Sequence, residues 1–210
     1  MIREKLLAHP RIFDTWQNLV GADGAKRWFV EEYLVSQRIA SILEIGCGTG
    51  ALCRYLPLAS NYVGVDISAE YISEARETFP DRRFIVGDVS KQTFAAECSA
   101  KYDVIVAFGV LHHLTDRAAV AAIRGASSVL NDQGKFLSVD PCAGPNQHLA
   151  ERVLKTFDRG RYIRSGASYS DLASSVFRNV EYRTESSKMS IHYELAVVEA
   201  SDGLRGHTNA

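Results

Sequence analysis

Glu44-Ile45-Gly46-Cys47-Gly48-Thr49-Gly50 decides the fold, because it stands where an apolar run, 41–46, should turn from a strand into a helix. Glycines at alternate positions admit backbone angles closed to other residues and let a ligand approach the main chain closely. Taken alone, the stretch is a binding loop or a purely structural turn. Working outward, residues 62–66, 83–88, 102–108 and 135–140 also read as strands rich in Ile, Val, Leu or Phe. Between them, Ser68 is placed to cap a helix carrying Ile72, Ala75 and Phe79, and Thr115 one carrying Val120, Ile123 and Leu130. Alternating strands and helices predict a parallel sheet with right-handed crossovers.

The last third departs from that rhythm. Runs at 180–185 and 191–200, joined by the short polar turn 186–190, predict an antiparallel hairpin. At the other end, Ile12, Phe13, Trp16, Leu19 and Val20 recur at helical spacing, followed by Trp28, Phe29 and Tyr33. These helices either pack on the domain or cap a ligand, with Gln17 or Arg27 reaching inward. The expected α/β organisation is a helical cap at 1–40, a Rossmann-like domain at 41–200 and a flexible tail at 201–210. Its seven strands form a mostly parallel sheet, the last antiparallel, with helices on both faces.

Lys plus Arg total 24 against 25 acidic residues, so a formal charge of −1 exerts no global pull toward nucleic acid or an anionic membrane. Cys47, Cys53, Cys98 and Cys142 form no CxxC pair and point to neither a zinc site nor a disulfide framework. Neither a signal-like start nor an apolar run of membrane length occurs. The expectation is a cytoplasmic protein that inserts in no membrane, binds no nucleic acid and holds no metal; its oligomeric state is not legible.

Two strand ends carry acids suited to a nucleoside. Asp66 closes Val63-Gly64-Val65-Asp66, where an ionised carboxylate accepts both hydroxyls of a ribose; the alternative is a cap on the next helix, a task open to Ser68. Asp88 follows Phe84-Ile85-Val86-Gly87 and is placed either to accept from an adenine amino group or to serve as an ordinary loop aspartate, with Ile67 and Val89 offering apolar contacts to the ring.

With these residues in view, positions 41–140 resemble the class I S-adenosylmethionine-dependent methyltransferases, whose first motif is an acid followed by alternating glycines. The resemblance implies that Glu44, Gly46, Cys47 and Gly48 border the cofactor, S-adenosylmethionine, which leaves as S-adenosylhomocysteine. It also implies that Asp66 holds the ribose, that Asp88 and Val89 face the adenine, and that Phe108 lies near the methionine end. A nicotinamide-dependent dehydrogenase is the rival, but Gly50 follows Gly48 by two residues rather than three, and Glu44 is ill-suited to a pyrophosphate. An acid there suits a cofactor carrying a cationic amine.

The same resemblance sets the run from Ala107 through Phe108 and Gly109 to Leu114 beside the transferable methyl. His112 and His113 are candidate general bases or fixers of the loop, and only one is expected to point inward. Asp140, after Ser138-Val139, is a second candidate base or a turn carboxylate. Arg159, Arg161 and Arg164 either hold an anionic acceptor or form a surface loop paired with Glu151 or Asp171.

These segments, with His192-Tyr193, are similar to small bacterial methyltransferases associated with polysaccharide or lipopolysaccharide synthesis. That likeness implies O-methylation of a small acceptor such as a sugar linked to a nucleotide or lipid phosphate. The other readings are a non-catalytic cofactor-binding regulator or partner, and an aminopropyltransferase.

Overall fold

The computed structural model describes residues 22–35, 39–91, 93–98, 100–143, 162–186 and 194–203. Seven strands form one sheet: β1 (Ser41–Ile45), β2 (Asn61–Asp66), β3 (Arg83–Val86), β4 (Tyr102–Phe108), β5 (Leu130–Pro141), β6 (Phe177–Glu185) and β7 (Leu195–Gly203). Their spatial order is β3-β2-β1-β4-β5-β7-β6, and β7 alone runs antiparallel to its neighbours. From β1 the chain goes to β2 on one side and later returns to β4 on the other. The crevice beyond the carboxyl ends of β1 and β4 is therefore the topological switch point, where open α/β sheets take their ligands.

Each strand feeds two cores. Val104 and Val106 of β4 pack with one apolar cluster, Ile105 and Ala107 with the other, the period-2 alternation of a sheet covered on both faces. The first face is covered by α1 (Ala22–Phe29), its π-helical continuation Val30–Val35, the 3-10 turn Ala51–Tyr55 and α2 (Ala69–Thr78). The second is covered by α3 (Phe94–Cys98), α4 (Asp116–Ser128) and α5 (Gly166–Ser174). Ser68 Oγ accepts from Tyr71 N–H and Thr115 Oγ1 from Ala118 N–H, so both expected caps start their helices.

Several boundaries differ from the sequence reading. Leu130 belongs to β5, not to the preceding helix, because it pairs with Tyr102 before the register shifts in the β4–β5 ladder. Val120 is half-buried at the edge of a stripe formed by Ala119, Ala122, Ile123 and Ala126. β3 stops at Val86, leaving Asp88 on the turn beyond it. Ser201 to Gly203 continue β7, with Ser201 paired to Asn179 and Gly203 to Phe177, so the sheet runs past the expected start of the tail.

Candidate functional site

The loop after β1 folds back on β2: the N–H groups of Gly46 and Cys47 both donate to the Val65 carbonyl, at 2.7 and 3.1 Å. Gly46, Gly48 and Gly50 have φ of 68°, 53° and 79°, the left-handed region that other residues enter only at a cost. The three differ in their surroundings. A Cβ on Gly46 would lie 2.6 Å from Val110 Cγ2 and one on Gly50 2.8 Å from the Phe84 ring, whereas one on Gly48 would meet none of the described residues within 4 Å. Gly50 is buried and permits internal packing, Gly46 lets Val110 approach while staying exposed, and half-buried Gly48 has bare backbone with none of the described residues against it.

Beside Gly48 stands Asp66. Its Oδ2 accepts from Gly48 N–H at 2.9 Å and its Oδ1 from Ser68 N–H at 2.8 Å, so it braces the loop and the start of α2 together. Ser68 and Asp66 share the capping work that the sequence reading offered as alternatives. A carboxylate oxygen accepts more than one hydrogen bond, so both retain capacity toward a vicinal diol. Ile67, next in sequence, is 73% exposed. Asp88 Oδ1 accepts from Ser90 N–H and Oγ, at 3.0 and 2.6 Å, and Val89 is partly buried against the core.

Glu44 ends β1 almost fully buried and accepts from Tyr62 Oη at 2.5 Å. Burial pushes its carboxyl up to about 7, against the downward pull of the Tyr62 hydrogen bond and the Lys26 charge; Asp66 adds a further upward push. Lys26 is the cation that α1 turns inward, 8% exposed. Arg27, the inward candidate of the sequence reading, lies outside and donates to Glu31 at 2.9 Å. The correction follows from helix geometry, since successive side chains are about 100° apart. Lys26, Phe29, Val30 and Tyr33 follow the i, i+3, i+4, i+7 spacing, a signal present in the sequence. Phe29 also meets Phe108 edge-on, centroids 5.6 Å apart, so α1 reaches the end of β4. Cys47 is buried and its thiol is pushed far up by burial, which makes it a packing group.

On the other side of the crevice, Gly109 (φ 70°) turns the chain out of β4 into the 3-10 turn Leu111–His113. His112 is 4% exposed; His113 is exposed and its ring lies 3.9 Å from that of His112. Asp140 Oδ1 accepts from His112 N–H at 3.1 Å and lies 2.8 Å from His112 Nδ1. Because Oδ1 already takes the fixed backbone N–H, the network assigns the ring proton to Nδ1 and the basic lone pair to Nε2. Burial raises the Asp140 carboxyl, and the hydrogen bonds from His112 counter it. Asp140 Oδ2 is buried without a partner among the described residues.

Arg164 has a different task from the one its position in an arginine-rich run predicts. Its guanidinium donates to the carbonyls of Leu111, Leu114 and Tyr162 and, twice, to Asp116 Oδ1. A guanidinium has five N–H groups, so none remains for an acceptor anion. Gln17, Arg159, Arg161 and His192-Tyr193 lie outside the described residues.

The strand order, the glycine loop at the switch point and the strand-end carboxylate define a Rossmann-like α/β domain with a crevice at that point. A family described as "Methyltransferase domain" matches residues 43–136. Among curated relatives, a highly reducing polyketide synthase of Pyrenophora dematioidea is 27% identical over 157 residues, 67% of this chain and 6% of that protein. A ubiquinone biosynthesis O-methyltransferase of Rhodopseudomonas palustris (strain BisA53) is 29% identical over 79 residues, 37% of this chain and 31% of that protein. The chain thus spans well under two thirds of the length of either relative. Human N-acetylserotonin methyltransferase in complex with S-adenosylmethionine has the same fold, with a TM-score of 0.70 and 17% identity over 95% of this chain and 56% of that one. Residues 43–136, somewhat less than half of the chain, thus match a methyltransferase-domain family, on a fold shared with a methyltransferase solved with S-adenosylmethionine. No helix among the described residues is long and apolar enough to cross a membrane.

Proposed function

We propose that this chain methylates an oxygen of a small acceptor, with His112 as general base and Asp140 orienting it. The observation that carries the reading is the bare backbone of Gly48, held by the Asp66 carboxylate and with no other described side chain placed against its Cα. Donor and acceptor loops face each other across the switch point: Gly46 packs on Val110, two residues before His112. The bound cofactor supplies an electrophilic methyl on a sulfonium. Around it, Asp66 accepts from the ribose, Glu44 offers an anionic partner for the α-amino group, and Asp88 and Val89 border the adenine. His112 Nε2 takes the acceptor's hydroxyl proton as the oxygen attacks, and Asp140 stabilises the imidazolium through Nδ1–H. Holding donor and acceptor in line contributes up to roughly 7–11 kcal/mol, to which a base adds a factor of about 10²–10⁴.

The names of relatives that methylate oxygen favour an O-acceptor. An anionic acceptor, such as a sugar carried on a phosphate, would depend on Arg159 and Arg161, because Arg164 is fully engaged. Four buried cysteines, none in a disulfide, fit a reducing, cytoplasmic setting.

Calorimetric titration with S-adenosylhomocysteine tests the cofactor assignment. Asp66→Ala is expected to weaken binding by about 1.5–3 kcal/mol, the scale of a lost hydrogen bond to a charged group. Unchanged affinity, or tight binding of NAD in place of S-adenosylhomocysteine, would reject it. Glu44 provides a second readout. Its carboxyl titrates near 7, and an ammonium beside it favours the ionised form, so binding lowers that value and releases a proton. The expected result near neutral pH is a net proton release, read as a dependence of the binding enthalpy on buffer ionisation enthalpy. Glu44→Gln should abolish that release.

A further inference from the structure

The geometry points to Arg164 as the positioning residue that holds the His112–Asp140 pair together, an assignment that rests on the reading of that pair as the base. Arg164 is attached to both halves. Its main chain is stitched to the segment that follows Asp140: Arg164 forms a parallel bridge with Cys142, its carbonyl accepts from Ala143 N–H at 2.8 Å, and its N–H approaches Tyr169 Oη at 3.4 Å. Tyr169 is buried and donates to the Pro141 carbonyl at 3.1 Å. The Arg164 side chain is stitched to the His112 turn, donating to Leu111 O at 2.9 Å and Leu114 O at 2.6 Å, one carbonyl on either side of the two histidines. His112 O in turn accepts from Tyr162 N–H at 3.0 Å.

The fork shape is what the site requires. The turn's carbonyls at 111 and 114 point to one spot, and a planar guanidinium reaches both while its remaining donors meet Tyr162 O and Asp116. An ammonium is a point donor and cannot span the same acceptors. The ion pair with Asp116 is secondary, because the Asp116 side chain is 78% exposed against 9% for that of Arg164, and an exposed carboxylate contributes little. Rings of Tyr162 and Tyr169, 5.9 and 5.5 Å from the guanidinium carbon, flank the cation.

The test reads the His112 Nδ1–H proton by NMR on the full chain saturated with S-adenosylhomocysteine, which requires no acceptor. The wild-type chain should show one slowly exchanging imidazole N–H that disappears in Asp140→Asn. Arg164→Ala should speed its exchange at least about tenfold, the scale of losing hydrogen bonds to a charged group, with S-adenosylhomocysteine affinity unchanged. Arg164→Lys should behave like Arg164→Ala, Asp116→Asn should retain the slow proton, and millimolar guanidinium should restore it to Arg164→Ala. Slow exchange preserved in Arg164→Ala or Arg164→Lys would overturn the assignment. Absence of the slow proton from the wild-type chain would instead remove the base reading beneath it, and unchanged S-adenosylhomocysteine binding in all variants would show that the donor site stands apart from either failure.

Discussion

Replacing His112 with asparagine is expected to lower turnover of any hydroxyl acceptor by roughly 10²–10⁴-fold, the range of a lost general base. Asparagine is chosen because its amide still has a donor for Asp140 Oδ1, the partner of His112 Nδ1 at 2.8 Å, while it lacks a basic nitrogen. Alanine would leave a fully buried carboxylate without its side-chain partner, held by main-chain N–H alone, and mix a stability defect into the rate. Cofactor affinity should hold, since Gly48 lies on the loop after β1 and Asp66 ends β2, both apart from the turn that carries His112. His113→Asn is the matched control: that ring is exposed and is expected to matter within about threefold, far below the general-base range. Wild-type turnover in His112→Asn would show that the imidazole only shapes the turn, and that approximation alone drives the transfer.

Gly125→Ala should destabilise the domain and weaken S-adenosylhomocysteine binding together. In the interior of an exposed helix this exchange ordinarily stabilises by up to about 1 kcal/mol. Here a Cβ at position 125 would lie 1.8 Å from the Val89 carbonyl oxygen and 3.0 Å from its carbon, so the main chain itself must yield. Either α4 shifts off the sheet or the turn carrying Asp88 and Val89 is pushed away. Overpacking of this kind costs about 1–3 kcal/mol, and displacement of the turn proposed to border the adenine should appear as weaker binding. Thermal denaturation and calorimetry on the same protein measure both. A higher melting temperature with unchanged affinity would mean that α4 absorbs the methyl without moving the turn.

Gly125 illustrates what the chain alone hides. A glycine inside a helical pattern reads as a weak spot, and nothing nearby names Val89, thirty-six positions earlier, as the reason for it. Lys26 is intermediate: its place on the Phe29, Val30, Tyr33 stripe was legible, but not the buried acid ahead of it. The arginine run left an anion site and a surface loop paired with Glu151 or Asp171 equally open, and only tracing the five Arg164 donors to their acceptors shows its partners, Asp116 and three carbonyls.

The primary structure by itself determined the alternation of strands and helices, the caps at Ser68 and Thr115, the glycine loop after β1 and the acids at the strand ends. Each of these depends on residues a few positions apart, where periodicity, backbone freedom and side-chain-to-main-chain hydrogen bonds act directly. Only the tertiary structure decided the β3-β2-β1-β4-β5-β7-β6 order, the pairing of His112 with Asp140, the inward turn of Lys26 and the capture of Arg164 by the His112 turn. Those choices set groups 18 to 53 positions apart within hydrogen-bonding or Coulombic reach, and strand register and two-sided packing, rather than local preference, determine which of them meet.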